Sequence, residues 1–325
     1  MTWKLILALV VGFCISSAVG AVLVPYLRKI KAGQAIREDG PTWHMSKQGT
    51  PTMGGLMFIA AVTIVCLTVG FPSMLEGDYG HIVCLALALV FGAIGFLDDY
   101  EKLKKKQNLG LTPGQKLIVQ FLVAFLYLWS LFASGDRSTV LLIPFWGQLS
   151  FAPWLYYPLC AIGIVYFVNS VNLTDGLDGL AASVTAVAGI GFFAVAAVLS
   201  MLQIQLFALA VSAGCIAFLI YNFYPAKVFM GDTGSMFLGG CVVALAFGVG
   251  APMLLGLIGI IYLCESLSVV IQVISFKTTG KRIFKMSPIH HHFEMSGYTE
   301  VQIGFAFSLI TALGSILAFF AARGF

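Results

Sequence analysis

Long apolar runs separated by short polar connections fill the whole sequence. A helix needs about 20 apolar residues to cross a bilayer. Measured against that length, the chain predicts ten spans, at 4–27, 53–71, 80–97, 114–134, 153–171, 179–199, 203–221, 233–250, 252–275 and 301–322. The runs are continuously apolar and lack the period-two alternation of barrel strands, so helices are expected. The longest polar stretches, 28–52 and 276–300, are too short to be soluble domains, and no internal repeat is visible. The expected fold class is an all-α integral membrane protein, a single polytopic domain over 1–325. The first run is longer than a signal-peptide core and lacks a clear small-residue cleavage site before Arg28, so it reads as a retained span. One outer connection breaks the helical pattern. Ser138–Trp154 holds two short apolar runs around Trp146-Gly147, which predict a small β-hairpin anchored by aromatic side chains at the membrane interface.

Charge then sets orientation. The connections after spans one, three, five, seven and nine hold Arg28, Lys29, Lys31, Arg37, Lys47, Lys102, Lys104, Lys105, Lys106, Lys116, Lys227, Lys277, Lys281, Arg282 and Lys285. Of the 18 basic residues only Lys4, Arg137 and Arg323 fall on the other face. Basic connections stay in the cytoplasm. Both termini and the hairpin are therefore expected outside, in the periplasm, as an even number of spans requires.

Composition agrees with the pattern. The chain is 59% hydrophobic and 10% charged, with a mean hydropathy of +0.96. Soluble domains carry about 25% charged residues. A cytosolic globular enzyme, a disordered chain and a disulfide-stapled secreted module are excluded. The 35 glycines suit close helix packing in lipid. Each of the seven cysteines lies in an apolar run with no metal-type spacing, so they read as small packing residues.

Polar groups at membrane depth are costly and mark function, and here nearly all of them fall at inner ends of spans. Asp98-Asp99 closes span three. It is either a water-facing cap neutralised by Lys102 and Lys104–Lys106 or a metal or general-base carboxylate. Adjacent helical positions point about 100° apart, so the two acids are not expected to serve one atom. Asn169, Asn172, Asp175 and Asp178 close span five at a spacing of three, beside Gly176 and Gly179, as a polar ribbon suited to a ligand. Asp232, in Lys227-Val-Phe-Met-Gly-Asp-Thr-Gly-Ser235, sits at a helix N-terminus, as a cap or as a functional acid. Lys116 stands in the first turn of span four behind Thr112-Pro113. Positive-inside bias explains it, and so does an anion site. His290-His291-His292 are poorly placed to share one metal and suit phosphate oxygens, or else they are a surface loop. Glu265 lies mid-span with Ser268, Gln272 and Ser275 and is expected to be an interior packing acid remote from the inner clusters. No phosphate-binding G-x-x-x-x-G-K-[ST] loop and no strand-flanked G-x-G-x-x-G occurs, so a nucleotide must be held by the inner loops themselves. Carboxylates able to hold Mg²⁺ beside cationic groups are what phosphoryl chemistry needs.

Five motifs carry a resemblance along the whole chain: Gly49-Thr-Pro-Thr-Met-Gly-Gly55, Gly95-Phe-Leu-Asp-Asp99, Asn169-Ser-Val-Asn-Leu-Thr-Asp-Gly-Leu-Asp-Gly179, Val228-Phe-Met-Gly-Asp-Thr-Gly-Ser235 and Pro288-Ile-His-His-His-Phe-Glu294. The sequence resembles the polyprenyl-phosphate sugar-1-phosphate transferases, and the histidine motif points to their bacterial muramoyl-pentapeptide branch. The resemblance implies an inner-membrane, Mg²⁺-dependent enzyme with a cytoplasmic active site. Its reaction moves phospho-N-acetylmuramoyl-pentapeptide from a UDP donor to undecaprenyl phosphate. UMP is released and the first lipid-linked peptidoglycan precursor, lipid I, is formed. It further implies Asp232 as the Mg²⁺ ligand and Asp98, with Asp99 beside it, as the group that orients or deprotonates the lipid phosphate. Asn172, Asp175, Asp178 and Asn222 would hold uridine and sugar, and Phe229 would stack on uracil. Lys116, His290, His291 and His292 would contact the donor's phosphates or nearby groups, with His291 counted among the catalytic residues. A homodimer is also implied. Span nine is expected to bend and leave an apolar groove for the prenyl tail. Two other readings stay open: a sister transferase using another UDP-amino sugar, and an ion-coupled transporter. Transporter acids cluster near the midplane, where only Glu265 is found here.

Overall fold

The computed structural model describes residues 2–30, 47–105, 110–135 and 137–324. Lys31, Arg37 and Lys106, counted above among the inner cations, lie outside the described residues. The elements are α1 (Thr2–Lys29), α2 (Leu56–Thr68), α3 (Phe71–Leu75), α4 (Gly80–Lys105), α5 (Pro113–Ala133), β1 (Val140–Ile143), β2 (Gly147–Ser150), α6 (Pro153–Thr174), α7 (Leu180–Val198), α8 (Leu202–Asn222), α9 (Gly231–Gly248), a 3₁₀ turn at Pro252–Leu254, α10 (Leu255–Ile258), α11 (Ile260–Thr279), α12 (Ile289–Glu294) and α13 (Glu300–Ala322). Among the described residues nine helices are long and apolar enough to cross a membrane. The protein is a multi-pass all-α membrane protein.

The expected second span is shorter than the hydropathy pattern suggests. α2 has 13 residues, about 20 Å of helix. It nevertheless runs between the same two ends of the bundle as α4. Gly55, at its start, meets Gly234 of α9, and Gly70, just past its end, lies against the His81 ring at the start of α4. α2 is therefore a shorter apolar helix beside the nine long ones rather than a full-length span of its own.

Local sequence explains the helix starts. Thr112 caps α5 in a reciprocal box with Gln115, with Pro113 in the first turn. Thr299 and Gln302 do the same for α13. The hairpin forms where expected, with Val140 opposite Ser150 and Ile143 opposite Gly147. Trp146 is 87% exposed and Trp154 77%, which suits rings held at a lipid–water interface.

The ninth expected span is not one helix. It divides at Gly259 into a 3₁₀ turn with α10 and then α11, which continues to Thr279. A face of α11 carrying Leu267, Val270, Ile271 and Ile274 stays exposed.

α9 stands at the centre, with α2, α4, α6, α7 and α8 packed on it. Small residues allow this. Gly240 of α9 faces the Ala88 backbone of α4, and Gly239 faces Val168 of α6. The C-terminal end of α1 reaches the α8–α9 connection, where Arg28 donates to the Lys227 carbonyl. The first residue of α13, Glu300, pairs with Lys47. Both termini therefore lie at the opposite end of the bundle from the polar cluster described next.

Candidate active site

Four helix ends meet at one end of the bundle: the end of α4, the start of α5, the end of α6 and the start of α9. The start of α9 exposes backbone N–H groups that no intrahelical carbonyl can satisfy. Asp99 of α4 satisfies them. Its Oδ1 accepts from the Asp232 N–H at 3.2 Å, and its Oδ2 accepts from the Thr233 N–H at 2.9 Å and the Thr233 hydroxyl at 2.7 Å. A carboxylate from one helix thus caps the positive end of another.

Asp98, one position earlier, faces elsewhere. Its Oδ1 accepts from the Leu111 N–H at 2.8 Å, and Lys102 Nζ lies 2.6 Å from its Oδ2. The two acids do serve different partners, as their angular separation requires. Both nevertheless converge on Asp232, because an oxygen of each of Asp98, Asp99 and Asp232 lies within 4.8 Å of the others.

Asp232 is the hub. Its Oδ2 receives Lys116 at 2.8 Å and Lys102 at 3.1 Å, and its Oδ1 accepts from Asn172 Nδ2 at 3.0 Å. Asn172 also donates to Ser235 Oγ at 2.7 Å. Three carboxylates and two ammonium groups are thus interleaved around Asp232, which also lines a cleft of about 260 Å³. Lys47, Thr52, Asn172, Asp175, Phe229 and Asp232 are among the residues lining it.

Asp175, just past the end of α6, is pushed up to about 8, first by burial and then by the charges of Asp232, Asp99 and Asp178. An acid whose pKa is raised on folding keeps its proton in the folded state and loses it when unfolded. Its contribution to stability is therefore present at low pH and lost as pH rises towards 8. Asp175→Asn is expected to match the parent's thermal midpoint near pH 4, the unfolded pKa of an aspartate, and to exceed it by a growing margin up to pH 8.5, measured without divalent cation. Equal midpoints at both pH values would contradict this assignment.

Other expected residues brace the cleft. Asp178 accepts from Lys47 at 2.8 Å and from the Ala226 N–H at 2.8 Å, while its own N–H donates to Glu300 at 2.8 Å. Asn222 uses its amide on backbone, accepting from Gly179 N–H at 3.1 Å and donating to Val228 O at 2.9 Å. Asn169 pairs with Gln120 of α5. Phe229 is held in the cleft wall by backbone pairing with Pro51 and Gly54 of the glycine-rich segment. The three histidines diverge. His290 Nδ1 lies 3.0 Å from Glu265, His291 Nδ1 lies 2.9 Å from Glu294, and His292 Nδ1 accepts from the Lys285 N–H. Of the three, His290 packs on Gly176 of the cleft wall. The expectation that Glu265 stands remote from the inner clusters does not hold, because α12 folds back and carries His290 to it.

Sequence reasoning passed over Lys102, Lys47 and Glu300 as site residues. Lys102 had a signal, its i,i+4 spacing from Asp98. Lys47 and Glu300 had none, since their partners are distant in sequence.

Comparison with known proteins follows the same residues. Positions 81–250 match the family described as Glycosyl transferase family 4, and 47–59 match phospho-N-acetylmuramoyl-pentapeptide-transferase signature 1. The phospho-N-acetylmuramoyl-pentapeptide-transferase of Heliobacterium modesticaldum is 46% identical over 98% of this chain and 98% of its own. That of Thermoanaerobacter sp. strain X514 is 46% identical over 98% and 99%, and that of Halalkalibacterium halodurans 44% over 97% of each. The acids gathered around Asp232 fall within the first of these matches and the strand-like segment beside Phe229 within the second, so the chain belongs to glycosyl transferase family 4 and, within it, to the phospho-N-acetylmuramoyl-pentapeptide-transferases.

Proposed function

We propose that the protein transfers phospho-N-acetylmuramoyl-pentapeptide from its UDP donor to undecaprenyl phosphate. UMP leaves and lipid I, the first lipid-linked peptidoglycan precursor, is formed at the cytoplasmic face of the bacterial plasma membrane. The observation that carries this reading is the convergence of Asp98, Asp99, Lys102 and Lys116 on Asp232, which lines the cleft. All-oxygen donors in close register are the set Mg²⁺ takes. Asp232 and Asp98 would hold the ion, while Asp99 keeps both oxygens on the α9 amides. Bound there, Mg²⁺ would supply charge neutralisation at the donor's diphosphate.

The chain's own groups do the rest. Lys102 and Lys116 stand ready to pass from Asp232 to phosphate oxygens. Asn172 and Asp175 face uridine and sugar, and Phe229 offers a ring to uracil. His290, His291 and His292 complete the donor side, with Asp178 and Asn222 bracing its loops. A phosphate monoester's second pKa is about 6, so the lipid phosphate needs little proton removal at neutral pH. Its oxygen attacks the sugar-linked phosphorus directly, the P–O bond to UMP breaks, and Asp98 orients the attacking phosphate. The exposed apolar face of α11 takes the prenyl tail. A homodimer is the assembly this reading carries.

The test is UMP release from UDP-N-acetylmuramoyl-pentapeptide by purified protein. Release is expected only with polyprenyl phosphate and Mg²⁺ both present. Release that ignores the lipid, or a covalent phospho-sugar adduct isolated on Asp98, would overturn the direct transfer described.

A further inference from the structure

Glu265 of α11 and His290 of α12 have side chains closed to solvent, at 0% and 1% exposure. An acid at membrane depth is costly and is kept for a purpose. Glu265 Oε2 and His290 Nδ1 lie 3.0 Å apart. Among the described residues the ring's other nitrogen, Nε2, is buried without a hydrogen-bond partner, as is Glu265 Oε1. The Nε2 edge of the ring rests on Gly176. A methyl group there would fall inside contact distance of Nε2 and 2.6 Å from Cε1. Gly176 lies in the cleft wall between Asp175 and Asp178.

α11 is a rigid post for this pair. Ser266 Oγ donates to the Tyr166 hydroxyl of α6 at 2.5 Å, and the Tyr262 hydroxyl meets Thr185 Oγ1 of α7 at 2.8 Å. The ring's tautomer follows from what is left unpaired. A proton on Nε2 would bury a donor with nothing to receive it. A proton on Nδ1, given to Glu265, leaves only a lone pair at Nε2, the less costly orphan.

We infer that Glu265 is a positioning residue for the transfer: it holds His290 in the Nδ1–H tautomer and seats the ring beneath Gly176, so fixing the 175–179 loop of the donor cleft. The inference rests on the proposed function for its kinetic reading, but the tautomer stands apart from it. The test compares Glu265→Leu with Glu265→Gln in the full-length protein. The glutamine oxygen still accepts from Nδ1–H, whereas leucine offers nothing.

Glu265→Leu is expected to raise the donor KM about tenfold or more, with the acceptor KM within about twofold of the parent. Glu265→Gln is expected to keep the donor KM within about threefold. Solid-state ¹⁵N spectra of histidine-labelled protein in lipid are expected to show His290, assigned by its loss in His290→Asn, protonated at Nδ1 and bare at Nε2. The same signature is expected in Glu265→Gln, and mixed tautomers in Glu265→Leu. Equal impairment of the two variants, an equal rise in both KM values, or an Nε2–H tautomer in the parent would overturn the inference. If instead the parent released no UMP, the function would fail while the ¹⁵N spectra still decided the tautomer.

Discussion

Changing Asp232 to Asn is expected to lower UMP release by about 10³-fold, about 4 kcal/mol of transition-state stabilisation, with the fold intact. Asparagine keeps the size of the side chain, and its oxygen can still accept from Asn172, which donates to Oδ1 at 3.0 Å. The anionic oxygen that receives both Lys116 and Lys102 is lost. Lys102 retains Asp98 at 2.6 Å, whereas Lys116 is left against a neutral amide. The charge of the cluster moves from net −1, three carboxylates against two lysines, to zero, which weakens its hold on a divalent cation. The Mg²⁺ concentration for half-maximal activity is therefore expected to rise along with the fall in kcat. The side chain of Asp232 is 22% exposed and those of Lys102 and Lys116 are 17% and 16%, so these pairs are only partly screened, and the thermal midpoint is expected to fall by a few degrees while the protein stays folded. Residual kcat within tenfold of the parent would remove Asp232 from the centre of the mechanism.

Spans are legible because lipid imposes a length on them. The gathering of the acids at one end of the bundle is legible because cations sort by side. What sequence hides is which ends oppose one another. Asp98-Asp99 read as carboxylates set against the negative end of their own helix, an unfavourable placement. The fold answers this for Asp99 by bringing up the positive end of α9, 133 residues away. Lys47 pairs with Asp178 and Glu300 at separations of 131 and 253 residues, and no local pattern encodes such partners. Glu265 read as isolated because distance was counted along α11. The break at Gly259 and the return of α12 over its neighbours are tertiary facts, and hydropathy is blind to them. α9 shows the limit most clearly. It is the least apolar of the nine long spans but one of the most enclosed, because small residues rather than large ones allow close approach between helices in lipid.

That close approach leads to the second large effect. Gly95→Ala is expected to cost the enzyme at least 10²-fold in kcat/KM and to destabilise it by about 1–3 kcal/mol. A β-carbon at Gly95 would overlap the Asp232 carbonyl and stand 2.8 Å from the Thr233 nitrogen, backbone atoms that cannot swing aside as a side chain can. Either α4 or the first turn of α9 must shift. That turn holds Asp232 itself and the two N–H groups that Asp99 caps, so the shift opens the capping hydrogen bonds and moves the hub away from Asp98. Gly163→Ala in α6 supplies the control. No atom of the described residues lies within 4 Å of a β-carbon there, and alanine is a better helix former than glycine. Its activity is expected to equal the parent's and its thermal midpoint to be the same or higher. If Gly95→Ala behaved like Gly163→Ala in both measurements, the α4–α9 crossing would not be what places the acids, and the site would have to be positioned from another part of the fold.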